Sequence, residues 1–175
     1  MTKAAPSELP SGIHLWRTSE LNAAGFNART IARLVRAGVL VRLRRGCYIR
    51  GSTWAVQKPS VRSRQIIAAH AHGTLTTSGG GLVYSHTSAA RLHRLFLWDV
   101  DDRVHITQKK TPAPNSHGRD VVAHSRMLGE GDEVLVDGLP CTSLERTVVD
   151  CCLMLNYRQS LVLMDHAELA RIQPV

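Results

Sequence analysis

Arginine is the residue whose type and spacing promise the most chemistry in this chain. The stretch GFNARTIARLVRAGVLVRLRRGCYIRG, from Gly25 to Gly51, carries Arg29, Arg33, Arg36, Arg42, Arg44, Arg45 and Arg50. A guanidinium is a permanent cation whose planar fork of donors matches phosphate oxygens and the major-groove edge of guanine. The chemistry implied is recognition of a polyanion, double-stranded DNA above all, rather than bond-making. Arg29, Thr30 and Arg33 lie at the start of a predicted helix and are the expected readers of base edges. Arg36, Arg42, Arg44 and Arg45 are expected to hold phosphates or enter the minor groove, with Arg50 and Lys58 peripheral. Arginine is usually exposed whatever its role, but three on one helix face and three on a ribbon exceed what solubility requires.

Other chemistry-bearing residues lack the spacing their chemistry needs. None of the nine histidines stands in His-x-x-x-His or Glu-linked metal spacing, so structural or surface roles are expected for them. Asp99, Asp101 and Asp102 lack the glycine and terminal glutamate of a calcium loop. Gly79-Gly80-Gly81 is not followed by the Gly-Lys-Ser/Thr of a phosphate loop. Ser85 and His86 are adjacent at a helix start and should point apart, and helix capping accounts for Ser85. No Gly-x-Ser-x-Gly elbow occurs, nor the Gly-Ser turn and paired carboxylates of a nucleotidyltransferase. The expectation is a non-enzyme without catalytic residues, metal ligands or cofactor.

The elements that must position the arginines can be read from the pattern. Thr18 or Ser19 caps a short helix with Glu20 in its first turn, and Gly25 ends it. Asn27 caps a second helix, on which Ile31, Leu34 and Val35 share one face while Arg29, Arg33 and Arg36 share the other. Gly38 stops that helix. Arg42 and Arg44 alternate with Val41 and Leu43 as on a strand, Arg45-Gly46 turns, and Cys47–Arg50 returns. Two helices and a basic hairpin make a winged helix-turn-helix. The helix that usually precedes it has little room, so Ile13, Leu15 and Trp16 are expected to close the core as a strand or turn.

Charge divides the chain. Residues 1–58 hold ten Lys+Arg against two Asp+Glu, a net +8, whereas residues 59–175 hold twelve of each. A basic segment joined to a neutral one points to a nucleic-acid module attached to something else. The expected organisation is α+β: a flexible arm at 1–12, the winged helix-turn-helix at 13–58, and a small mixed α/β domain at 59–175. Gly51–Pro59 reads as a connector, and in the second part a helix runs from Ser60 to His72. A helix over HTSAARLHRL and strands at VHITQ, DVVAHSR and DEVLV follow. KKTPAPNSHG is a loop and DGLP a turn, Ser143 caps a helix through Leu155 on which Arg146 and Asp150, at i, i+4, are expected to pair, and Tyr157–Ile172 forms a last helix. The four cysteines form no Cys-x-x-Cys pair, and no membrane span or signal-peptide core occurs, which fits a cytoplasmic protein.

SHTSAARLHRL, VHIT and DGLPCTSLERTVVDCC follow RRGCYIR in this order and resemble the AbiEi family, from about Ile13 to Leu169. The most specific pieces are Ser85-His86 with Ser88-Ala89-Ala90, and Thr142-Ser143 with Arg146-Thr147 and Asp150. The family comprises antitoxins and transcriptional regulators of bacterial type IV toxin–antitoxin systems. The resemblance implies an N-terminal winged helix that binds its own promoter and a C-terminal domain needed to counter a nucleotidyltransferase toxin, without direct contact between the two proteins. Longer relatives continue into a very-short-patch-repair-like endonuclease domain, which would begin where this chain ends. A second reading is therefore the DNA-targeting fragment of such a nuclease. A third is an interaction module whose basic hairpin binds an acidic protein.

Overall fold

The computed structural model describes residues 9, 15–74, 81–108 and 118–172. It divides into two compact units, Met1–Thr77 and Ser78–Val175. The arm expected at 1–12 and the loop KKTPAPNSHG lie almost wholly outside the described residues. The fold is α+β, with helices and a separate sheet in each unit.

The first unit runs β1 (Leu15–Arg17), α1 (Thr18–Ala23), α2 (Ala28–Arg36), β2 (Leu40–Arg44), β3 (Cys47–Arg50), α3 (Gly51–Val56) and α4 (Pro59–Thr74). Two left-handed glycines define the helix-turn-helix. At Gly25 (φ 91°) the amides of Gly25 and Phe26 turn back to the carbonyls of Asn22 and Leu21. At Gly38 (φ 71°) the amides of Gly38 and Val39 return to Val35 and Leu34 in the same way. Both are Schellman closures, which need a residue free of a Cβ penalty at that φ. Phe26 and Leu21 also meet in the core beside Trp16, Ile31 and Leu40. Each such side chain contributes about 1.5–3 kcal/mol by leaving water.

β3 is central in the antiparallel order β1-β3-β2. β1 thus closes the core from the sheet side, with Trp16 paired to Tyr48 and only 1% exposed. The register of β2 slips between Arg42 and Arg44, so that Arg44 faces Cys47 across an Arg45-Gly46 turn with Gly46 at φ 78°. α1 differs from expectation at its start. Arg17 is its N-cap, and the Glu20 carboxylate accepts the Arg17 amide at 2.7 Å, which leaves Thr18 and Ser19 inside the helix.

The stretch expected as a connector is helical. α3 is closed by Arg62 of α4, which donates from Nε to Trp54 O and from Nη2 to Ala55 O, each at 3.0 Å, with its guanidinium over the Trp54 ring. α4 packs on the three-stranded sheet, so the compact unit extends past residue 58. The join between β3 and α3 is tight. A Cβ on Gly51 would lie 1.9 Å from the Gly38 carbonyl oxygen, while the Gly51 amide donates to Val39 O at 2.8 Å. Gly51→Ala is expected to cost about 1–3 kcal/mol or more, because backbone rather than a yielding side chain must shift. A drop in thermal midpoint with loss of protected β2 and β3 amides is the measurement.

The second unit runs β4 (Leu82–Tyr84), α5 (His86–Leu92), β5 (Val104–Gln108), β6 (Val121–His124), β7 (Glu133–Val136), β8 (Leu139–Thr142), α6 (Leu144–Cys152) and α7 (Tyr157–Ile172). Its mixed sheet has the order β6-β5-β4-β8-β7, with β4–β8 and β5–β6 parallel. Asp137 (φ 50°) and Gly138 (φ 75°) form the two-residue turn between β7 and β8, both in the left-handed region that a hairpin of this length requires. Ser143 caps α6 as expected, accepting from the Arg146 amide. Ala90, Leu95, Cys151, Leu163 and Ala167 form the core that joins α5, α6 and α7. No helix among the described residues is long and apolar enough to cross a membrane.

Candidate nucleic-acid interface

The arginine stripe of α2 follows from its boundaries. The Asn27 Oδ1 accepts the Thr30 amide at 2.9 Å, which sets the helix phase. Ile31 then falls on the core and Arg29, Arg33 and Arg36 on the solvent side. All three are exposed, and no ion pair among the described residues involves them. Arg36 Nε makes only a long contact of 3.4 Å to Ala32 O on its own helix. Thr30 departs from expectation. It is 9% exposed, because it precedes Leu34 by one turn and lies beside Ile31 on the inner face. The helix start therefore presents Arg29 and Arg33 to solvent, without Thr30.

On the wing, Arg42 and Arg45 are exposed and Arg44 is half-buried. Arg42 Nε points to Arg44 O at 3.4 Å, and Arg45 occupies the turn. The Thr18 amide donates to Gly46 O at 3.0 Å, tying the wing tip to the start of α1. Arg50 has a structural partner, its guanidinium lying 5.9 Å from the Trp16 ring centroid. Lys58 is exposed ahead of α4. The folded chain thus gathers five exposed arginines on one helix and one hairpin, an arrangement able to neutralise phosphates while offering two forks at a helix N-terminus.

The second unit holds a polar centre that sequence spacing does not reveal. His86, His105 and His124 offer ligand nitrogens that all lie within 4.8 Å of one another. They come from the start of α5, from β5 and from β6. Parallel pairing of His105 with Val122 and Thr107 with His124 puts the two strand histidines on one sheet face. His105 Nδ1 and His124 Nε2 are 2.9 Å apart, and the His86 and His124 rings stack at 3.6 Å.

The Ser85 hydroxyl caps no amide; it lies 3.0 Å from His86 Nδ1, contrary to the expected capping role and outward divergence. The cause is backbone geometry, since His86 takes a left-handed φ of 49° that swings its ring back toward Ser85. Burial, with His124 alongside, pushes His86 down to about 4, and burial and the same neighbour push His105 to about 4. Both rings are therefore neutral near pH 7.

Asp150 of α6 faces this cluster electrostatically, favouring the charged forms of His86 and His124. It is 1% exposed and is held by Arg146, whose Nε donates to Asp150 Oδ2 at 3.0 Å while Nη1 donates to Asp132 Oδ2 at 2.6 Å. The Thr142 and Thr147 hydroxyls, 2.7 Å apart, fasten the start of α6 to β8. The Arg146–Asp150 pair is the one the i, i+4 spacing predicts. The histidines were missed because local spacing detects only ligands on one helix, whereas these arise on three elements.

Residues 17–51 match the family of transcriptional regulators described as AbiEi antitoxin. The matched segment is the end of β1, both helices of the helix-turn-helix and the complete wing. No curated protein matches the chain.

Proposed function

From an AbiEi-type transcriptional-regulator domain at residues 17–51, we propose that this protein binds duplex DNA at its own promoter. We infer further that it is the antitoxin of a type IV toxin–antitoxin system, acting in the cytoplasm. In this reading α2 lies in the major groove, where Arg29 and Arg33 contact base edges. Arg36, Arg42, Arg44 and Arg45 hold the phosphate backbone. The observation that carries the reading is the exposed Arg29–Arg33–Arg36 stripe on the second helix of the motif, inside the matched segment. The second unit is assigned to countering a nucleotidyltransferase toxin, functionally rather than by contact.

The two classes of arginine are expected to fail differently. Arg29→Ala and Arg33→Ala each cost about 1–3 kcal/mol on the preferred site and little on random duplex, which relaxes sequence preference. Arg45→Ala weakens binding to all sequences alike. Gel-shift titrations on upstream and random fragments separate the two patterns, and uniform loss in all three variants would count against base reading by α2.

A further inference from the structure

We propose that His86, His105 and His124 form a binding site for one divalent transition-metal ion of the zinc class in the second unit. Zinc–nitrogen bonds of about 2.0–2.1 Å place two nitrogens of a tetrahedral ion about 3.4 Å apart. The three rings already offer nitrogens within 4.8 Å, the closest pair being 2.9 Å. Side-chain rotation closes this set onto an ion, and in doing so opens the stacked His86–His124 pair. Three imidazoles without a thiolate suit zinc, cobalt, nickel or copper rather than magnesium or calcium. Three protein ligands also leave a fourth position, on the side of the half-exposed His124.

The surroundings orient these ligands. The Ser85 hydroxyl engages His86 Nδ1, which leaves Nε2 for an ion. His105 is clamped through its backbone: its amide donates to Ser88 Oγ at 2.8 Å, and its carbonyl accepts the Ser85 amide at 3.1 Å. Asp150, fixed by Arg146, adds a buried negative charge that faces His86 and His124. Ser85-His86-x-Ser88 and Arg146-x-x-x-Asp150, more than fifty residues apart, thereby serve one centre.

A packed core has no need of this arrangement. Imidazoles buried against one another oppose protonation of each, and the left-handed φ at His86 costs about 1–3 kcal/mol. Strain of this kind concentrates where geometry is held for function.

The test is titration of the full chain, freed of any tag and of metal, with cobalt chloride and then zinc chloride at pH 7.5. The expected result is one equivalent of cobalt bound with visible bands of nitrogen ligation, displaced by zinc. His124→Ala is expected to lower affinity at least about 100-fold, since even supporting residues behind a ligand change it 10–100-fold. His166→Ala should leave it unchanged. Should His124→Ala unfold, histidine-ring NMR of the wild-type chain with zinc decides: resonances of His86, His105 and His124 alone are expected to move. Absence of stoichiometric binding, unchanged binding in His124→Ala, or ring shifts at other histidines instead of these would show the cluster to be packing only.

Discussion

Arg146→Ala is expected to lower the unfolding free energy of the second unit by about 3–5 kcal/mol, the cost of leaving a buried charge unpaired. Asp150 is 1% exposed, and Arg146 is its guanidinium partner. The same side chain bridges to Asp132 and donates to Met127 O, so α6, β8 and the turn before β7 loosen together. Domains are stable by only about 5–15 kcal/mol, so a loss of this size approaches unfolding at 37 °C. Arg146→Lys should recover only part, because an ammonium is a point charge and cannot present a planar fork to two carboxylates. Denaturant-dependent hydrogen exchange of the β8 and α6 amides reports the second unit alone. A loss below about 1 kcal/mol, the range of exposed pairs, would show that water reaches Asp150.

The second large effect is the salt dependence of DNA binding. If Arg36, Arg42, Arg44 and Arg45 each neutralise a phosphate, the slope of log K against log salt is about −3.6, and affinity falls about 100-fold from 50 to 200 mM salt. Arg45→Ala should flatten the slope by about 0.9, because one fewer counterion is released. Fluorescence anisotropy with a labelled duplex measures both. A flat dependence would remove the phosphates from the account, and would favour an uncharged or purely shape-based contact.

How far the molecule was legible in its sequence depended on the range of the forces involved. The helix-turn-helix and wing are built by local rules: an Asn27 cap, glycines where φ is positive, and alternation along β2. Those rules act within a turn of the chain, and the pattern displays them. α3 escapes the local pattern because its stabilising partner, Arg62, lies eight residues beyond Trp54 and acts by capping carbonyls across a bend. Thr30 shares the helix start with Arg29 and Arg33, which alone recommends it for base edges, while helix phase turns that side chain inward.

The second unit shows the same division. Ser143, the Asp137-Gly138 turn and the Arg146–Asp150 pair were visible in local spacing. The histidine centre depends on β5 and β6 pairing in parallel, a contact that no spacing in the chain announces. Ser85 stands where a hydroxyl usually caps a helix, yet with the left-handed turn at His86 it meets the His86 ring instead.

The central claim is that the winged helix-turn-helix reads a specific promoter sequence. Its most direct test is footprinting of the full chain on its own upstream DNA at physiological salt, with random duplex as competitor. The account predicts a protected site that persists against competitor, with affinity at least about 10³-fold above that for random duplex. Equal affinity for the two fragments, with no protected site, would contradict it.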